Sequence, residues 1–163
     1  ILIVQPDALV ISDQLNYWCD IGYSYVGAPW FLGYGKPVEP PTMIGVGNGG
    51  FSLRKTGDFL KALRLPVYLS KLFYDKEIKL NNIYSSLRSF KNEFYGMKNY
   101  FDHVVKYTED EYWGLMAPRY FDYFKVPESE KAAFFSFEVY PRYLYKSLGD
   151  SLPFGCHAWE KYD

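Results

Sequence analysis

Asp7 follows a short apolar, β-branched run from Ile1 to Val4. A carboxylate just beyond a buried strand is where open α/β sheets bind ligands. There it suits a hard divalent cation, which in turn neutralises a diphosphate. Gln5 and Asp7 fall on one side of an extended segment, because side chains alternate with period two. A turn after Pro6 is the simpler use of Asp7. Gly47-Asn48-Gly49-Gly50 carries three glycines in four residues. Such a stretch lets backbone N–H groups approach a ligand with no Cβ in the way, although Asn-Gly is also a common hairpin turn. Glu109-Asp110 sets two carboxylates at a predicted helix N-terminus, where the dipole favours them. A general base also needs a carboxylate held near its substrate. His103 sits in an aromatic helical pattern and reads as structural. His157 lies in a loop-like segment, Gly155 to Trp159, where a neutral imidazole can complete a metal site with Asp7. Trp30 and Trp159 flank loops, and either can stack on a sugar or base or simply pack in the core.

The elements that must position these groups are mixed. Ile1–Val4 reads as a strand buried on both faces, ended by Pro6. Ala8 to Ile11 resumes the apolar run, and Asp13 precedes a helical turn. Tyr23–Gly27 reads as a strand stopped by Ala28-Pro29-Trp30. Glycines and prolines between residues 31 and 45 predict an irregular loop. Phe51–Arg54 is a short strand, and Phe135–Val139 alternates as another. The expectation is one central sheet built from residues 1–4, 24–27, 51–53 and 135–139, with helices over 56–65 and 80–105. Thr108, with Glu111 three residues on, predicts a capping box.

The 163 residues fit a single domain spanning the chain. The 18 Lys+Arg against 19 Asp+Glu leave a net charge of −1, so no basic excess exists to neutralise a nucleic-acid backbone. Aromatic residues reach 21%, enough to fill a core and also line a cleft for flat hydroxylated ligands. The two cysteines, Cys19 and Cys156, form no metal or redox spacing and read as reduced thiols. No apolar run spans a bilayer and no signal peptide is recognisable. The expected location is the cytoplasm, with the inner membrane face as the alternative. A start without Met, directly in an apolar run, reads as a piece of a longer protein.

These pieces come in a fixed order: Gln5-x-Asp7, Tyr25-Val26-Gly27-Ala28-Pro29-Trp30, Gly47-Asn48-Gly49-Gly50-Phe51-Ser52-Leu53-Arg54, Glu109-Asp110, Phe135-Ser136-x-Glu138 and Pro153-Phe154-Gly155-x-His157-x-Trp159. The series resembles an uncharacterised, largely bacterial family of glycosyltransferase-like domains. Its layout is similar to the sugar-nucleotide-dependent GT-A glycosyltransferases. The resemblance implies an α/β fold with a GT-A-like mixed sheet flanked by helices, its N-terminal nucleotide-binding half absent from this chain. It implies Mn²⁺ or Mg²⁺ on Asp7 and His157, with Asp7 as the last carboxylate of an Asp-x-Asp element. The first position of that element is here Gln5, an amide and a poorer ligand for a hard cation. Asn48, Gly49 and Gly50 resemble the segment beside donor and acceptor, and Trp30 the acceptor-side wall; Gln5 and Trp159 complete the implied binding residues. Glu109 and Asp110 resemble the acidic pair facing the acceptor hydroxyl, with Asp110 as base.

The implied function is transfer of a sugar from a nucleotide-diphosphate donor to a glycan or lipid-linked acceptor hydroxyl. The alternative is a non-catalytic carbohydrate-binding or assembly domain with a degenerate site. Adjacent Glu109 and Asp110 cannot easily flank a glycosidic bond from opposite faces, which argues against a glycoside hydrolase.

Overall fold

A computed structural model describes residues 1–36, 38–63 and 108–162. The described part is a mixed α/β arrangement. The chain begins with β1 (Leu2–Val4), turns at Gln5–Asp7 and continues as β2 (Ala8–Val10) and α1 (Leu15–Asp20). Four strands follow: β3 (Tyr25–Val26), β4 (Ala28–Phe31), β5 (Met43–Gly47) and β6 (Phe51–Arg54). Residues 56–63 form α2. A second helical run has three parts: α3 (Glu109–Glu111), a π-helical turn (Tyr112–Met116) and α4 (Ala117–Tyr120). Then come α5 (Ser129–Ala133), β7 (Ser136–Phe137), α6 (Pro141–Ser147), β8 (Gly155–His157) and a 3₁₀ turn (Trp159–Lys161). Among the described residues no helix is long and apolar enough to cross a membrane.

The strands form three small sheets, ordered β1-β6-β3, β2-β8-β7 and β4-β5. All pairs are antiparallel except β7–β8, where Phe137 lies beside Cys156 in parallel register. This corrects the expected single sheet. Residues 1–4, 24–27 and 51–53 do contribute strands to one sheet, but 135–139 contributes β7 to another. The partners of β7 and β2 come from Gly155–His157, a segment whose glycine and histidine carry no strand pattern.

Nor is β1 buried on both faces. It is an edge strand that pairs only with β6, and its Val4 side chain is exposed. Ala28-Pro29-Trp30 does not end a strand but forms β4, where Pro29 is tolerated because β4 has one neighbour. The end of the expected loop, from Met43, is β5. Thr108 occupies the N-cap of α3 but makes no side-chain capping bond, so the capping box does not form. The helices expected over 80–105, and His103, lie outside the described residues.

Much of the aromatic content is spent on packing. Phe51, Phe135 and Phe154 meet at centroid separations of 5.3 to 5.6 Å, with the buried Trp18 edge-on to Phe135. Trp113 stacks on Phe124 at 5.4 Å and meets Phe59 at 4.3 Å. Such pairs add about 0.5–1.5 kcal/mol each beyond area burial.

Two close backbone approaches set the site. A Cβ at Gly114 would lie 1.6 Å from the Val46 carbonyl oxygen, and one at Gly47 would lie 2.1 Å from the Trp30 indole. The π turn therefore presses directly on β5, with Trp30 packed over the strand's last residue. That contact brings the start of the helical run, with Glu109 and Asp110, against the loop that follows β5.

Candidate functional site

β8 and the β1–β2 turn bring the two ends of the chain together. Ala8 pairs with His157, and the Ala158 N–H donates to the Asp7 carbonyl at 3.1 Å. The consequence is a polar cluster. His157 Nδ1 lies 2.9 Å from Glu138 Oε1. His157 Nε2 lies 3.2 Å from both Gln5 Oε1 and Asp7 Oδ1. Lys161 Nζ donates to the other Asp7 oxygen, Oδ2, at 2.7 Å. The His157 side chain is only 12% exposed. Its ring lies against Gly50, where a Cβ would fall 2.1 Å from Nε2.

The electrostatics follow from counting protons. Glu138 is an acceptor, so a neutral His157 carries its proton on Nδ1. The Nε2 lone pair then faces two oxygens. A proton on Nε2, a metal cation, or the Gln5 amide turned to present its N–H₂ group each relieves that contact. The protonated state is favoured accordingly: the hydrogen bond to Glu138, helped by its charge and that of Asp7, raises the His157 pKa above the usual histidine value, against burial. Lys161 holds the Asp7 carboxyl below its usual range.

The same atoms fit a metal. Donor–donor separations near 3 Å are what two bonds of roughly 2.0–2.3 Å at right angles leave. A carboxylate, an amide oxygen and an imidazole form a mixed N/O set, and Glu138 behind Nδ1 is the orienting carboxylate that metal-binding histidines commonly have. Among the described residues no group of three or more His, Cys, Asp or Glu that could hold a metal occurs; the third donor here is the Gln5 amide.

A cation on these atoms would compete with the proton for Nε2, so its affinity would depend on pH with a definite sign. Below the raised His157 pKa, Mn²⁺ affinity is expected to climb about tenfold per pH unit, then level off above it. Calorimetry in buffers of different protonation enthalpy should show one proton released per Mn²⁺ on the acid side, and none in His157→Gln. Lys161 competes for Asp7 as well. Lys161→Ala is expected to tighten Mn²⁺ binding several-fold, a shift read directly in the same titration; unchanged affinity would mean that the lysine does not oppose the cation.

The glycine-rich loop is organised from within. Asn48 is buried, with φ at 102°, and its Oδ1 accepts the N–H groups of Gly50 at 2.9 Å and Phe51 at 3.0 Å. The N–H groups of Asn48 and Gly49 donate to Asp110 Oδ2 at 3.2 and 2.8 Å. All four loop amides are thus engaged, and they offer no open nest to a phosphate. Gly50 is instead explained by the His157 ring lying on it. The buried Tyr25 hydroxyl donates to the Asn48 carbonyl at 3.0 Å, and burial drives its pKa well up. Among the described residues the buried Asn48 amide nitrogen has no hydrogen-bond partner.

Asp110 Oδ1 also accepts the Glu111 N–H at 3.1 Å, so this carboxylate clamps the loop to α3. Glu109 makes a two-pronged pair with Arg54, at 2.7 and 3.2 Å. Both carboxylates lie close to Gly49, within 3.5 to 3.7 Å of the position of a Cβ there. Trp30 is buried over Gly47 and edge-on to Tyr34 at 5.2 Å. Trp159 is half exposed, two residues beyond His157, beside an apolar groove.

The structure therefore gathers Gln5, Asp7 and His157 around one point, with Gly50 as its floor, and Asn48, Gly49, Glu109 and Asp110 around the adjoining loop. Trp30 packs over Gly47, and Trp159 lines the apolar groove. Sequence reasoning gave no role to Glu138, Lys161, Arg54 or Tyr25. The alternation of Phe135–Val139 does place Glu138 on the opposite side from Phe137, and that was the available signal. Nothing in the pattern marked Lys161.

Residues 1–157 match the family described as "Protein of unknown function (DUF5672)". The chain belongs to the DUF5672 family. The matched span in this DUF5672 chain runs from β1 through His157, so it contains Gln5, Asp7, the loop, both α3 carboxylates and Glu138. Trp159 and Lys161 lie beyond it. No curated protein and no solved structure matches the chain.

Proposed function

We propose that this protein is a glycosyltransferase of GT-A type, moving a sugar from a nucleotide-diphosphate donor to an acceptor hydroxyl. The observation that carries the reading is that Asp7 Oδ1 and Gln5 Oε1 each lie 3.2 Å from His157 Nε2, beside the Asn48–Gly50 loop. Asp7, Gln5 and His157 would hold a divalent cation, Mn²⁺ or Mg²⁺, which offsets charge on the departing diphosphate. Glu138 keeps the imidazole oriented, with Nε2 turned to the site. Gly50 lets the His157 ring lie directly on the backbone, and Gly49 keeps Glu109 and Asp110 close to the loop beside it. In the transfer the acceptor oxygen bonds to the anomeric carbon, and the bond to the diphosphate oxygen breaks with its electron pair. The acceptor proton passes to Asp110, or to Glu109 if Arg54 releases it.

A non-catalytic carbohydrate-binding role is the second reading, favoured by the engagement of Glu109 with Arg54 and of Asp110 with the loop amides. The two are separated by incubating the protein with Mn²⁺ and a panel of nucleotide sugars and measuring nucleoside diphosphate release. The transferase reading expects release from at least one donor that Asp7→Asn abolishes. Release from none, with sugar binding intact, would leave the binding role.

A further inference from the structure

On the face of the β2-β8-β7 sheet opposite His157, strand register brings Leu9, Cys156 and Phe137 side by side. With α6 they enclose a groove of about 480 Å³, whose lining includes Leu9, Ile11, Phe137, Tyr145, Leu152 and Trp159. Phe137 and Cys156 form a buried floor, whereas Leu9, Leu152 and Trp159 are 58%, 62% and 47% exposed. Single exposed apolar residues are ordinary, but a contiguous set around a trough marks a binding surface. Among the described residues the charged side chains lining it are Arg142 and Lys146, both cations, one helical turn apart on α6. No carboxylate lines it. Arg142 is engaged by another group of the protein, and Lys146 pairs with Asp150 at 2.6 Å, but both side chains of the latter pair are exposed, where such a pair is weak and exchangeable.

We propose that this groove holds the hydrocarbon chain of a phosphate-headed lipid, with Arg142 and Lys146 at its headgroup. An alkyl or isoprenoid chain brings no polar groups into the trough, whereas a peptide would bring backbone N–H and C=O groups that must find partners. Two cations on one helix of the lining match an anionic head. Trp159 links the groove to the site: it lies in the turn that carries Lys161, which holds Asp7. This deepens the glycosyl-transfer reading and rests on it for one thing only, that the bound lipid is the acceptor. The lipid-linked acceptor is thereby favoured over the free glycan.

Calorimetry with dodecyl phosphate below its micelle concentration tests the site, with no nucleotide or metal present. Failure of the transferase reading therefore leaves this result readable. One molecule is expected to bind per chain, at least about tenfold more tightly than neutral-headed dodecyl maltoside, with no measurable binding of inorganic phosphate. Leu9→Asp and Leu152→Asp, both at exposed positions and checked for fold by circular dichroism, are each expected to weaken it about tenfold or more. Lys146→Glu should erase the preference for the anionic head. Phosphatidylcholine vesicles doped with phosphatidic acid should retain the wild type and release Leu9→Asp. No binding of dodecyl phosphate, equal binding by the folded Leu9→Asp and Leu152→Asp variants, or a concentration-dependent dimer that Leu9→Asp dissolves would each overturn the proposal, the last by assigning the groove to a second copy.

Discussion

Gly50→Ala is expected to dismantle the His157 cluster. The new methyl would fall 2.1, 2.4 and 2.5 Å from three atoms of the imidazole, and a rigid ring cannot bend away from it. Retreat of the ring would break the 2.9 Å bond to Glu138, and movement of the backbone would break the 2.8 Å bond from the Gln5 N–H to the Gly50 carbonyl. Either way Nε2 leaves Asp7 and Gln5. Overpacking of this kind costs about 1–3 kcal/mol of stability. The larger effect falls on the cation: Mn²⁺ affinity is expected to drop at least tenfold, as when an orienting partner of a metal ligand is lost. Gly49→Ala is the control. Its Cβ would sit at ordinary contact distance from Glu109 and Asp110, so Mn²⁺ binding should hardly change. Equal Mn²⁺ affinity in wild type and Gly50→Ala would show that His157 is not a ligand.

Asp110→Asn separates the two uses of that carboxylate. The asparagine oxygen can still accept the Asn48 and Gly49 N–H groups, losing only the bond from the Glu111 N–H, so the loop stays held to α3, but the amide cannot take a proton. If Asp110 is the base, turnover is expected to fall roughly 10²-fold or more, with donor binding little changed. If it serves only as the clamp, Asp110→Asn should transfer at close to the wild-type rate. Asp110→Ala should then be the damaging change, because it strands two loop N–H groups whose bonds to a charged acceptor are worth roughly 1.5–3 kcal/mol each. The ratio of kcat between the two variants, with donor KM as a check, decides between the roles.

Gln5 and Asp7 do meet at His157, but through the turn that Gln5–Asp7 forms and not through the extended alternation expected there. The strands at 2–4, 25–26 and 51–54 were legible as short apolar runs ended by breakers, and they do share one sheet; the partner of 135–139 was not legible. Gly155-Cys156-His157 becomes β8 through pairing with β2 and β7, a tertiary choice that local pattern does not encode. The glycines were visible but their purpose was misread. Gly47 and Gly50 make room for Trp30 and His157, while the loop amides are consumed by Asn48 and Asp110. Lys161 was illegible, since a lone lysine near a chain end carries no signal until the turn after β8 folds it onto Asp7.

In the proposed function Asp7, Gln5 and His157 hold a cation that in turn holds a diphosphate. Calorimetric titration of inorganic pyrophosphate, with and without Mn²⁺, into wild type and Asp7→Asn tests this most directly, because it needs neither the donor sugar nor the acceptor. The expected result is pyrophosphate binding to the wild type that requires Mn²⁺ and is lost in a folded Asp7→Asn variant. Failure of Mn²⁺ and pyrophosphate to bind the wild type together, or equal binding by Asp7→Asn, would contradict it.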